Sequence, residues 1–205
     1  MLERGKNQHL YRKLHSLSGI IPVGVFLTVH LFVNYTATWG QDAYNIAAGI
    51  MVNLPFKYFL EAFIIFIPMY FHAIYGLYIA LQAKNNVGRY GYTRNWRFFL
   101  QRLTGVITFI FVTWHIWETK IQVEFFGAEA NYHLMANIVN DPFSLTLYII
   151  GIVSAVYHFA NGIWTFLITW GITVSPKSQK ASSYITFGLF VVLSIIGVRA
   201  ILAFA

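Results

Sequence analysis

Four histidines, His30, His72, His115 and His158, each lie within a long apolar run. An imidazole can ligate a metal, relay a proton or bond to a neighbouring helix. The chain contains no cysteine. That excludes disulfides, iron–sulfur ligation by this chain and a cysteine nucleophile. Bare zinc or copper asks for three or four protein ligands. Two axial nitrogens are enough for a low-spin b haem, because the porphyrin supplies the other four. The number of histidines that meet at one place therefore decides the chemistry, and that depends on the elements carrying them.

Of the 205 residues, 58% are hydrophobic, 19% aromatic and only 10% charged. Soluble domains carry about 25% charge. Disorder is excluded, and the composition argues against an ordinary water-soluble fold and points to a chain dissolved largely in lipid. A bilayer core of ~30 Å takes about 20 helical residues. Long stretches nearly free of charge give five such spans, roughly 14–35, 56–83, 98–119, 143–171 and 182–204. The expected fold is all-α, a five-helix transmembrane bundle forming one domain over residues 1–205. The first span reads as a membrane helix and not as a cleaved leader, since it lacks a small-residue cleavage site. Pro55 and Pro142 are expected just inside the starts of the second and fourth spans. Pro22 and Pro68 are expected to kink the first and second.

Lys and Arg set the orientation. Arg4, Lys6, Arg12, Lys13, Lys84, Arg89, Arg94, Arg97, Arg102, Lys177 and Lys180 fall on one side; Lys57, Lys120 and Arg199 fall on the other. Eleven against three places the amino terminus in the cytoplasm and the carboxyl terminus outside. The net charge of +7 is thus a topology signal and a possible docking face. Nucleic acid is not needed to explain it.

The chain repeats. His72-Ala-Ile-Tyr-Gly76 and His158-Phe-Ala-Asn-Gly162 are 86 residues apart; Ser18-Gly19 and Thr104-Gly105 lead to His30 and His115. Spans one and two therefore match spans three and four. At 1.5 Å per residue, His30 and His115 lie ~24 and ~25 Å along helices entering from inside. His72 and His158 lie ~24 and ~22 Å along helices entering from outside. The histidines form two pairs, one near each face. Gly76 and Gly162, one turn beyond the inner pair, are expected to let a flat macrocycle approach the backbone. Arg12, Lys13, Arg97 and Arg102 on the inner side, with Lys57, Lys120 and Arg199 on the outer, are candidate propionate partners. His15 is a rival inner ligand or a docking residue, while His9 and His133 read as solvated.

The runs Leu14-His-Ser-Leu-Ser-Gly-Ile-Ile-Pro-Val-Gly, Leu54-Pro-Phe-Lys-Tyr, Tyr70-Phe-His-Ala-Ile-Tyr-Gly, Ala83-Lys-Asn-Asn, Arg94-Asn-Trp, Trp114-His-Ile-Trp-Glu and Trp170-Gly-Ile-Thr-Val carry a resemblance. The chain resembles the cytochrome b558 membrane-anchor subunits of succinate dehydrogenase from Gram-positive bacteria of the Bacillus type. The resemblance covers loops as well as spans. It implies a multi-pass protein of the bacterial cell membrane holding two b haems, with axial ligands at His30, His72, His115 and His158. It also implies flavoprotein and iron–sulfur partner subunits and menaquinone as electron acceptor. Such a subunit is no enzyme by itself; it carries electrons within an enzyme complex.

Glu61 is the one carboxyl well inside a span, near the depth of the outer pair. It can deliver a proton to reduced quinone, or it can simply pair with Lys57 at i−4. Asn34, Trp39 and Asp42 are lesser candidates. Two rivals share the architecture: a fumarate reductase anchor, and another dihaem anchor such as those of membrane hydrogenases or formate dehydrogenases. A rival of another class is a haem-free proton-coupled transporter with a histidine relay.

Overall fold

The computed structural model describes residues 2–205, with side chains from residue 8 onward. The charges of Arg4 and Lys6 used for orientation thus lie outside the described side chains. Among the described residues, five helical stretches are long and apolar enough to cross a membrane: Gln8–Trp39, Lys57–Gln82, Thr93–Phe125, Pro142–Thr169 and Pro176–Leu202. They are numbered here as the first to fifth spans. The protein is an all-helical bundle, as its apolar runs require.

Proline chemistry explains several of the boundaries. The first span is broken where expected: one helix runs Leu2–Ile20, and a second starts at Pro22. This break lets its first half pack on the second span while its second half packs on the fifth. Pro142 opens the fourth span at the first helical turn, where its missing N–H costs nothing. Asp141 caps that helix by accepting from the Ser144 N–H, which holds its carboxyl below the usual range. Pro55 differs from expectation. It lies before the helix, and Phe56 follows at φ 57°, so the second span starts at Lys57. Pro68 does not break its helix, because the preceding turn, Leu60–Phe66, is π-helical. A matching π-helical turn occupies Trp117–Ile121 in the third span. The fifth span begins earlier than its charge-free run, at Pro176, behind a capping box made by Ser175 and Ser178. Lys177 and Lys180 sit within its first turns and hide it from a charge-based reading.

Two short helices that hydropathy alone does not reveal, Gln41–Val52 and Tyr132–Val139, close the end of the bundle opposite the amino terminus. Asn45 accepts from the Tyr132 N–H, and the Tyr132 hydroxyl donates to the Ala203 carbonyl. Ala37, Met135, Val139, Tyr148, Ile201 and Phe204 form the core beneath them. A second cluster, Leu31, Val156 and Leu193, joins the first, fourth and fifth spans. Among the described residues, the buried ones belong to these three spans, the two caps and Phe204, just after the fifth span. Among the described residues, none lies between Ala48 and Met135. The second and third spans therefore line a cavity, and do not share a packed core. Phe63, Ile67, Tyr70, Ile74, Tyr78 and Leu81 make an exposed stripe at helical spacing along the second span, a lipid-facing surface.

Close packing against the fourth span rests on missing side chains. A Cβ on Gly151 would come within 2.2 Å of the Phe111 ring. A Gly151→Ala replacement should cost about 1–3 kcal/mol as overpacking and lower the unfolding midpoint in detergent. Gly188→Ala meets nothing within 4 Å among the described residues and should leave that midpoint within a degree or so of the parent. Equal midpoints for both variants would contradict this packing.

Candidate functional site

The four histidines line one cavity of about 950 Å³ between the first four spans. That is at the upper end of the ~300–1,000 Å³ usual for ligand pockets. His72 and His158 lie near the end that carries the basic loops, with ring centroids 6.0 Å apart. At the opposite, more acidic end, the rings of His30 and His115 are 5.8 Å apart. The structure thus brings together the same two pairs that depth along the helices groups. Among the described residues, no group of three His, Asp or Glu could hold a bare metal ion.

Each basic-end histidine is held by the helix facing it. His72 Nδ1 donates to the His15 carbonyl at 2.8 Å, and His158 Nδ1 donates to the Gln101 carbonyl at 2.9 Å. Residues 15 and 101 are 86 apart, the offset of the repeat. A carbonyl only accepts, so Nδ1 must carry the proton and Nε2 keeps its lone pair. The glycines that matter here are Gly19 and Gly105, each four residues after the accepting carbonyl. A Cβ on Gly19 would fall 2.3 Å from the His72 ring; one on Gly105 would fall 2.9 Å from the His158 ring. In a helix, the carbonyl of residue i already accepts from the N–H of i+4. Removing the side chain at i+4 opens the second lone pair of that carbonyl to an incoming ring. Gly76 and Gly162, expected to face a macrocycle, also line the cavity. A Cβ on Gly76 would meet His15 Nε2 at 2.9 Å, and Gly162 has only Gln101 and Ile20 nearby.

His15 is closer to the site than its position in sequence suggests. Its ring stacks on His72 with centroids 4.2 Å apart and planes 6° apart. Its Nε2 is buried without a hydrogen-bond partner among the described residues. Arg102 also lines the cavity at this end, stacked over Phe98, with one buried guanidinium nitrogen likewise unpartnered. Two of the other expected inner cations, Arg97 and Lys13, are engaged elsewhere. Arg97 donates to Asn161 and Ser183 and lies 3.8 Å over the Trp164 ring, while Lys13 lies over Trp170. Asn161 in turn donates to the Gln101 side chain, which donates to the His158 carbonyl. A polar chain thus runs from Arg97 to the helix turn that carries His158.

At the acidic end His115 Nδ1 lies 3.3 Å from the Tyr148 hydroxyl, which donates to Glu118 at 3.2 Å. The His30 ring has a long 3.3 Å contact with the Asn34 amide, whose stronger bond of 2.8 Å goes to the His30 carbonyl. Releasing the ring contact therefore costs Asn34 little. Glu61 pairs with Lys120 of the third span at 2.7 Å, and not with Lys57. Lys57 pairs with Glu124, which also binds Lys120. The two π-helical turns carry Glu61 and Lys120, so these bulges meet across the cavity. Such bulges recur at functional sites. Trp39 is exposed, Asp42 lies in the first turn of Gln41–Val52, and exposed His133 bonds to Gln41.

His15, Gln101, Tyr148 and Glu118 were not singled out as partners of the four histidines. The repeat offset could have pointed to Gln101, since it maps onto His15. No one-dimensional signal places Tyr148 beside His115.

A family model described as the succinate dehydrogenase/fumarate reductase transmembrane subunit matches residues 80–197. The chain is also 55% identical over 200 residues to the succinate dehydrogenase cytochrome b558 subunit of Bacillus subtilis (strain 168), covering 98% of each chain. This multi-pass membrane chain therefore belongs to the family of succinate dehydrogenase and fumarate reductase transmembrane subunits.

Proposed function

We propose that residues 1–205 act as one membrane domain that anchors a succinate-oxidising complex and carries its electrons through two b haems to menaquinone. The observation that carries this reading is the pair of bis-imidazole sites in one cavity. Three of the four rings have Nδ1 committed to a partner, which leaves Nε2 for iron. With metal–nitrogen bonds of ~2 Å, two axial rings need centroids roughly 6 Å apart. The separations of 5.8 and 6.0 Å fit. In this reading His30 and His115 hold the outer haem, and His72 and His158 the inner one, with the amino terminus cytoplasmic. The haems supply one-electron transfer between a cytoplasmic iron–sulfur subunit, served by a flavoprotein, and the quinone.

The chain's own residues do the remaining work. His15 and Gln101 fix two imidazoles through their carbonyls. Arg102, with its unpartnered nitrogen, would take a propionate of the inner haem. Lys57 and Lys120 would serve the outer one. Glu61, which lines the cavity beside Lys120, would relay a proton to the reduced quinone. The basic face would dock the soluble subunits. The family description covers fumarate reduction as well, whereas the Bacillus relative is named for succinate oxidation.

Exchanging His30 or His115 for Ala should remove one of two haem signals, and exchanging His72 or His158 should remove the other. Spectra of the four variants check this; loss of the same signal from His30 and His72 variants would contradict the pairing. The Glu61→Gln variant should keep both haems yet reduce quinone about a hundredfold more slowly, the lower range for general acid catalysis; unchanged steady-state turnover would remove Glu61 from the path. Replacing Arg4, Lys6 and Arg12 with Gln should lessen co-purification of the soluble subunits, most at low salt, where these charges are least screened. Undiminished recovery at all salt concentrations would place the docking elsewhere.

A further inference from the structure

His115 has a kind of partner that the basic-end histidines lack. His72 and His158 both donate to neutral backbone carbonyls. His115 Nδ1 instead meets a tyrosine hydroxyl, and that hydroxyl donates to a carboxylate. Tyr148 needs its hydroxyl hydrogen for Glu118, so its oxygen is left to accept from the His115 N–H. The order is therefore fixed: imidazole to phenol to carboxylate.

The geometry of this chain is held from three sides. Tyr148 is 1% exposed and sits in the core beneath the two caps. Its ring makes edge contacts with Phe111, Trp114 and His115 at centroid separations of 5.3, 5.1 and 5.7 Å. Glu118 lies three residues after His115, in the π-helical turn, and both reach the Tyr148 hydroxyl. The other half of the repeat has no such device. Val33 and Ala62 stand where the offsets of 85 and 86 would put Glu118 and Tyr148. A side-chain arrangement built in one half only is not a packing requirement of the repeated fold.

We infer that Tyr148 and Glu118 are positioning residues that orient the His115 ring and raise its donor strength toward the iron it holds. The inference rests on the ligand role proposed above for His115. A carboxylate behind the phenol draws the Nδ1 proton away from the ring, so Nε2 becomes a stronger donor. A stronger donor favours ferric over ferrous iron and lowers the potential of the outer haem alone.

The test is a redox titration of the intact complex, with the ferric low-spin resonance signals recorded in parallel, for the parent, Glu118→Gln and Tyr148→Phe. Both variants should retain two haems per chain. In each, one haem should shift to higher potential by up to about tenfold in its ferric-to-ferrous ratio, ~59 mV for one electron. The shifted signal should be the one that a His115→Ala variant loses, and the second haem should stay in place. Glu118→Asp should restore most of the parent value. Unchanged potentials in both variants would overturn the inference while leaving the ligand assignment standing. A shift in Glu118→Gln without one in Tyr148→Phe would overturn it too, since the carboxylate would then act through space alone. A parent complex without haem would overturn the ligand reading and this inference together.

Discussion

A neutral imidazole deep in a membrane must satisfy one nitrogen before the other can serve a ligand. The structure meets that demand with a backbone carbonyl already used by its own helix. Such a carbonyl has a second lone pair, but a side chain four residues on would shield it. Gly19 and Gly105 remove that shield, and His72 and His158 reach the carbonyls of His15 and Gln101. This contact fixes how the first span sits on the second and how the third sits on the fourth. A wider separation would lose the bond; a closer one would clash with the rings.

The same demand explains why the bundle is packed unevenly. The fourth and fifth spans, the second half of the first and the two short helices hold the buried core. The second and third spans line a cavity that reaches from His15 and Arg102 to Glu61 and Lys120. Stability is thus concentrated on one side and at the capped end, while the histidine-bearing walls are left to shape the site. The π-helical turns at Leu60–Phe66 and Trp117–Ile121 add to this. They carry the carboxylate and the ammonium that pair across the cavity.

Much of this was legible in the residues. Low charge and apolar length define five spans, and helix rise alone groups His30 with His115 and His72 with His158. The repeat places the histidines in register. What stayed hidden depends on contacts between helices or on signals that hydropathy discounts. Lys177 and Lys180 mask the first turns of the fifth span, though Ser175, Pro176 and Ser178 are a readable start signal. The Gln41–Val52 and Tyr132–Val139 helices are too short to announce themselves by hydropathy. Glu61 has Lys57 at i−4, yet it binds Lys120 across the cavity while Lys57 binds Glu124, a pairing between spans that sequence spacing does not show. His15 carries no mark in sequence that it stacks on His72; only the fold brings residues 57 apart into a 4.2 Å ring contact.

The most direct measurement is a haem count on the purified chain from haem-sufficient cells. A reduced-minus-oxidised spectrum with a pyridine haemochrome titration should give two b haems per chain, one for each histidine pair. A count of zero would contradict the account and leave the four histidines as a relay or as packing. A count of one would contradict the equivalence of the two bis-imidazole sites.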